Sequence, residues 1–213
     1  TPSASSSPLL PAIDASVLPV TTPSAEEAAR ALSALLHAHL LGAVEADAYW
    51  CFTATLDKIQ DNFVPSQPGI AGMVARLQDL VCRLDRPLFT HIAVDQQIPF
   101  VQFAFRWFNC LLMRELRLEL VLRLLDSALC ADTTEEFTDV YVYFSATAML
   151  QWRADILQRE FQDIVMFLQH LPTQRWGVRD VEVVLAQAFV YQSLFRDSRH
   201  LDRADTGQLE MNL

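Results

Sequence analysis

One stretch constrains the fold more than any other: Pro99 to Cys130, PFVQFAFRWFNCLLMRELRLELVLRLLDSALC. After Pro99 it holds no glycine or proline, so nothing in it forces the backbone to break. Phe100, Phe103, Trp107 and Leu111 recur at helical spacing on one face, and Phe105, Phe108 and Leu112 make a second stripe beside it. Apolar residues over so much of the circumference predict burial on several sides. The pattern predicts two helices, 98–115 and 118–129, with Arg114-Glu115-Leu116-Arg117 at the joint. A bilayer span of about 20 mostly apolar residues does not fit, because Arg106, Arg114 and Glu115 interrupt it.

The 213 residues suit one domain plus tails, and 26 acidic residues against 16 Lys and Arg give a formal net charge of -10. Nucleic-acid binding rests on cationic contacts to phosphate, so that class is disfavoured, as is docking on an anionic leaflet. Apolar residues make up 52% and charged ones 20% of the chain. The low charge fraction predicts apolar surface left over for a partner. The sequence starts on threonine with no basic-then-apolar leader, so it is expected to be a piece of something longer. Cys51, Cys82, Cys110 and Cys130 lie far apart, which disfavours zinc and predicts buried reduced thiols in a cytosolic protein. His37 and His39 point to different sides of a helix and are read as incidental.

Residues 1–23, rich in Ser, Thr, Pro and Ala, predict a flexible linker or tail. Ser24-Ala25-Glu26-Glu27 is a capping box that opens a helix to Leu41, where Gly42 is expected to stop it. A second helix is expected over 44–61, packing through Tyr49, Trp50, Phe52, Leu56 and Ile59. Two prolines and a glycine make 62–69 a surface loop. Met73, Leu77, Leu80 and Val81 line a helix over 70–83, and 85–98 reads as irregular with one helical turn. Thr133-Thr134-Glu135-Glu136 is again a capping box, and the apolar pattern behind it continues through Leu157. That run is too long to be a strand, despite its Val and Tyr content. Further helices are expected over 159–170 and 178–195, with a polar tail at 197–213. The fold class is therefore all-α, a compact multi-helix array occupying 24–196.

No nucleotide-binding, nucleophile-elbow or metalloprotease motif occurs, and no cofactor or metal site is indicated. The charges at the central joint read most simply as ion pairs along the helices, with Glu119 to Arg123 in the favourable order. From the residues alone this is a helical interaction domain and no enzyme.

Glu45-x-Asp47-x-Tyr49-Trp50-Cys51, Gln60-Asp61-Asn62 and Gln67-Pro68-Gly69-Ile70 resemble the middle of a TBC domain, the GTPase-activating domain for Rab GTPases. Gln102-Phe103-x-Phe105-Arg106-Trp107 with Leu111-Leu112-Met113-Arg114-Glu115, and then Arg123-Leu124-Leu125-Asp126, are similar to further elements of that family in the same order. Phe167-Leu168-Gln169, Pro172-Thr173, Trp176 and Tyr191-Gln192-Ser193-Leu194-Phe195 resemble the closing helices of its Ypt/Rab-activating subgroup. The resemblance covers 44–197 and implies the C-terminal helical subdomain of such a domain. It also implies a Rab family GTPase and the N-terminal half of the TBC domain as partners, and a cytoplasmic protein brought to membranes through Rab.

Two departures matter. Leu125 stands where the family has tryptophan. The family's arginine and glutamine fingers, in I-x-x-D-x-x-R and Y-x-Q-G, have no match: Ile92-Ala93-Val94-Asp95 is followed by Ile98 where the arginine belongs, and Tyr191-Gln192 lacks the intervening residue. Both motifs belong to the family's N-terminal half, so no catalytic residue is expected in this chain and it is expected to be inactive alone. For Arg106, Trp107, Arg114 and Glu115 the resemblance implies GTPase contact or orientation of the finger-bearing half, while the residues alone suggest a buried polar network fixing how the central helices cross. Asp61 and Asn62, at a helix end beside a loop, are the candidates for exposed contacts. The rival class is a non-catalytic helical scaffold for a small GTPase or another helical protein.

Overall fold

A capping serine opens the described part of the chain. In this computed structural model, residues 24–209 are described, with side chains to residue 195, so the expected linker 1–23 lies outside the described residues. The chain divides into two units, Thr1–Cys51 and Phe52–Leu213. Ser24 Oγ accepts from Glu27 N–H at 3.3 Å and Glu27 Oε2 accepts from Ser24 N–H at 2.8 Å, the expected box. Behind it α1 (Ala25–Ile59) runs without the expected stop at Gly42. A glycine ends a helix by taking a left-handed φ, and Gly42 does not. In the first unit every described residue is exposed, Tyr49 and Trp50 included, so these two rings do not supply the expected packing.

In the second unit Phe52 is also exposed, and the end of α1 joins the core through Leu56 and Ile59. The centre is α6 (Thr134–Gln151), not the Pro99–Cys130 stretch. Phe137, Tyr141, Val142, Phe144, Ala146 and Met149 bury it right round its circumference. It packs against α2 (Pro68–Leu84), α5 (Leu118–Leu129) and α9 (Val178–Leu209). The β-branched and aromatic run is thus helical: Thr133 Oγ1 accepts from Glu136 N–H at 3.1 Å, and Thr147 Oγ1 donates to Tyr143 C=O at 2.8 Å. Glu136 reaches back to Asp132 N–H at 3.3 Å, one residue beyond the Thr133 N–H of the expected box.

The expected helix 98–115 ends at Asn109, leaving α4 (Val101–Asn109) with one buried face, Phe103, Ala104, Trp107 and Phe108, while Phe105 is exposed. Leu111 and Leu112 take left-handed φ values of 47° and 58°, and Leu112 N–H bonds back to Trp107 C=O at 2.8 Å. Left-handed backbone costs a non-glycine residue about 1–2 kcal/mol. Burying a leucine gains about 1.5–3 kcal/mol. Turning Leu111, Leu112 and Leu116 inward together therefore outweighs the strain.

Segment 85–98 is more helical than expected, with α3 (Arg86–Phe89) capped by Asp85 and a π-helical turn over Thr90–Asp95. The expected long helix to Leu157 breaks at Trp152, separating α7 (Arg153–Leu157) from α6. There the Trp152 ring stacks on Trp176 at 5.1 Å and meets Phe167 edge-on at 5.9 Å. The chain continues through α8 (Phe161–Gln169), and α9 extends past the expected end at Phe195 to Leu209. The expected Glu119–Arg123 pair does not form: Glu119 pairs with Arg117 at 2.8 Å and Arg123 faces Glu182 at 3.6 Å. The cysteines are not buried as expected: Cys51 and Cys130 are exposed, Cys82 and Cys110 half-buried. Among the described residues no strand occurs and no helix is long and apolar enough to cross a membrane.

Candidate functional site

Three of the four central charged and aromatic candidates meet at one joint. Arg106, on α4, reaches across the left-handed turn to Glu115, with Nε at 2.8 Å and Nη2 at 2.6 Å from Oε1. Its Nη2 also donates to Gln169 C=O, and Trp107 Nε1 donates to Leu168 C=O at 3.1 Å. Both acceptors are last-turn carbonyls of α8, groups a helix leaves without internal partners. A guanidinium there also suits the negative end of the helix dipole. Thr173 Oγ1 donates to Glu115 C=O, tying the α8–α9 connection to the same turn. The Glu115 side chain is only 2% exposed, and burial pushes its carboxyl above the usual range although Arg106 pulls the other way. This is the buried network the residues alone suggested.

Arg114 does not join it; its side chain lies on the exposed side of the turn. The partners supplied by α8 and its connection, Gln169 and Thr173, carry no local signal of this role, since they lie 63 and 58 residues from the groups they meet.

Asp61 and Asn62 sit elsewhere, in the single turn Gln60–Asn62 that follows α1. Asp61 is exposed as expected, but Asn62 is not: it is 1% exposed and cannot make a surface contact as it stands. The reason is Gly69, which packs on it so closely that a Cβ there would lie 2.3 Å from Asn62 Oδ1. Asn62 Nδ2 has no hydrogen-bond partner among the described residues. The two residues line a cleft between the end of α1 and the starts of α2 and α6, with Lys58, Pro68, Arg76 and Thr134 among its walls. Lys58 Nζ donates to Asp132 C=O at 2.9 Å and Ala131 C=O at 3.4 Å, while Arg76 holds Asp139 at 2.5 Å and Thr138 Oγ1 at 2.7 Å. None of the joint residues lines this cleft, so the sequence-predicted residues form two places rather than one.

Among the described residues no group of His, Cys, Asp and Glu is arranged to hold a metal ion. Neither place presents a nucleophile–base pair. The joint is suited to holding helices in register.

Comparison with known proteins finds relatives of this chain. The Rab-GTPase-TBC domain family model matches residues 29–158. The GTPase-activating protein gyp1 of Schizosaccharomyces pombe is 42% identical over 161 residues, covering 75% of this chain and 31% of that protein. The mouse TBC1 domain family member 22A is 42% identical over 162 residues, covering 76% of this chain and 31% of that protein. Among solved structures, the Ypt/Rab-GAP domain of Gyp1p matches with a TM-score of 0.65 at 39% identity, over 71% of this chain and 46% of that one. The chain thus spans about a third of the length of these two curated relatives.

Proposed function

This chain belongs to the Rab-GTPase-TBC domain family, and from that premise we propose that it is the Rab-engaging helical part of a GTPase activator which does not itself carry the catalytic fingers. The observation that carries the reading is the 42% identity over 161 residues to a GTPase-activating protein, with the fold of a Ypt/Rab-GAP domain. Its partner is a Rab family GTPase, and its place is the cytoplasm, at membranes by way of that GTPase.

GTP hydrolysis spreads negative charge over the transferring phosphoryl group and requires a held water. An arginine finger supplied in trans contributes about 10³–10⁵ in rate, and a glutamine amide orients the water. The 213 residues contain neither I-x-x-D-x-x-R nor Y-x-Q-G. In this reading Arg106, Trp107 and Glu115 orient the helices, since all three are spent on internal partners, while Asp61 and Arg114 face outward for contact. Asn62 supports its turn from within. The exposed apolar residues of α1, among them Leu32, Leu35, Leu36 and Leu40, form the surface that the N-terminal half of a TBC domain covers.

Single-turnover hydrolysis measured across a panel of GTP-loaded Rabs tests the reading. The 213-residue chain is expected to leave every intrinsic rate unchanged. Strong acceleration by this chain alone would show that its own residues supply the transition-state charge, and the proposal would be abandoned.

A further inference from the structure

We propose that the cleft between the end of α1 and the starts of α2 and α6 docks a segment of the GTPase partner in which a lysine or arginine adjoins an apolar side chain; this rests on the reading that the chain engages a Rab. The charge balance of the cleft selects the cation. Both of its own cations are spoken for, Lys58 by the carbonyls of Ala131 and Asp132, and Arg76 by Asp139 and Thr138. Asp61, exposed on the wall, makes no ion pair among the described residues. The chain's net charge of -10 strengthens the attraction for a basic segment at long range.

The surroundings supply the apolar half. Pro68 is exposed at the cleft wall, and Phe63, next to Asn62 on the same turn, is 57% exposed. That turn is braced from behind: Gly69 packs so closely on Asn62 that a Cβ there would lie 2.3 Å from its Oδ1. A recognition turn that is already ordered loses little freedom on binding.

The test is binding of the 213-residue chain to Rabs loaded with a non-hydrolysable GTP analogue, measured by interferometry for the wild type and for Asp61→Lys, Phe63→Ser and the control Asp155→Lys. Asp155 is exposed on α7 and does not line the cleft. For a Rab that binds, Asp61→Lys is expected to weaken affinity by about tenfold or more and to flatten its salt dependence, and Asp155→Lys to stay within about twofold. In the wild-type complex, amide exchange over 60–72 is expected to slow. A Rab that binds both cleft variants like the wild type, or leaves exchange over 60–72 untouched, overturns the cleft and leaves the GTPase reading standing. If no Rab binds the wild type, that reading falls and the cleft assignment with it.

Discussion

Gly69 and Arg106 are the residues whose replacement says most. A Cβ at position 69 would lie 2.3 Å from Asn62 Oδ1 and 2.9 Å from the Asp61 carbonyl carbon, and the second of these is backbone that cannot swing away. Gly69→Ala is therefore expected to lower the unfolding free energy by about 1–3 kcal/mol in urea titration, as overpacking does elsewhere. The opposite sign would arise only if the turn relaxed and the entropy lost by the unfolded chain dominated. At the joint, Arg106 is the only cation among the described residues that is bonded to the buried Glu115 carboxylate. Arg106→Gln should cost about 3 kcal/mol at neutral pH by stranding that charge. Burial already holds the Glu115 carboxyl above the usual range, and losing Arg106 raises it further. A carboxyl raised in the folded state binds a proton more tightly folded than unfolded, so the penalty is full above its folded pKa and shrinks as the pH falls through it. Urea midpoints for wild type and variant at stepped pH should therefore converge on acidification; midpoints that stay parallel would mean Glu115 is not the stranded group.

Among the elements, α4 shows how periodicity misleads. Two apolar stripes are legible in it, and of the second only Phe105 is left out of the core: Phe108 is 0% and Leu112 1% exposed, as Phe103 is at 1%, whereas Phe105 is 38% exposed. Phe103 sits in a ladder of rings with Phe100 at 5.3 Å and Trp107 at 5.0 Å. Phe103→Ala is expected to destabilise by about 3–5 kcal/mol. Phe105→Ala should cost under about 1 kcal/mol. Equal losses in thermal melts would mean that Phe105 is buried as well. The element with no free face is α6, whose composition looks least helical. Its β-branched and aromatic residues lower intrinsic propensity, and tertiary burial overrides that preference.

For the molecule, the division of labour follows from where polar groups are spent. In Phe52–Leu213 the cations nearest the candidate places are bonded inward, Arg106 to Glu115 and α8, Arg76 to Asp139, Lys58 to backbone. Stabilising the charge of a phosphoryl transition state calls for a cation aimed outward from a water-excluded site. Arg114, the outward-facing cation at the joint, is instead exposed to solvent. In Thr1–Cys51 the described residues form an exposed helix with leucines around its circumference, a pattern that in other helices signals burial.

Although it did not determine the start of α2 at Pro68, inside the expected loop 62–69, the sequence by itself determined that the chain is helical, where capping boxes begin helices (Ser24, Thr133), and which family motifs it carries and lacks. These are local properties, written within one or two turns of backbone. It did not determine that Leu111 and Leu112 turn left-handed, that Asn62 lies under Gly69, or that Arg106 and Trp107 cap a helix some 60 residues on. Those outcomes depend on which distant surfaces compete for the same apolar faces and unpaired carbonyls. Only packing the whole core settles that competition.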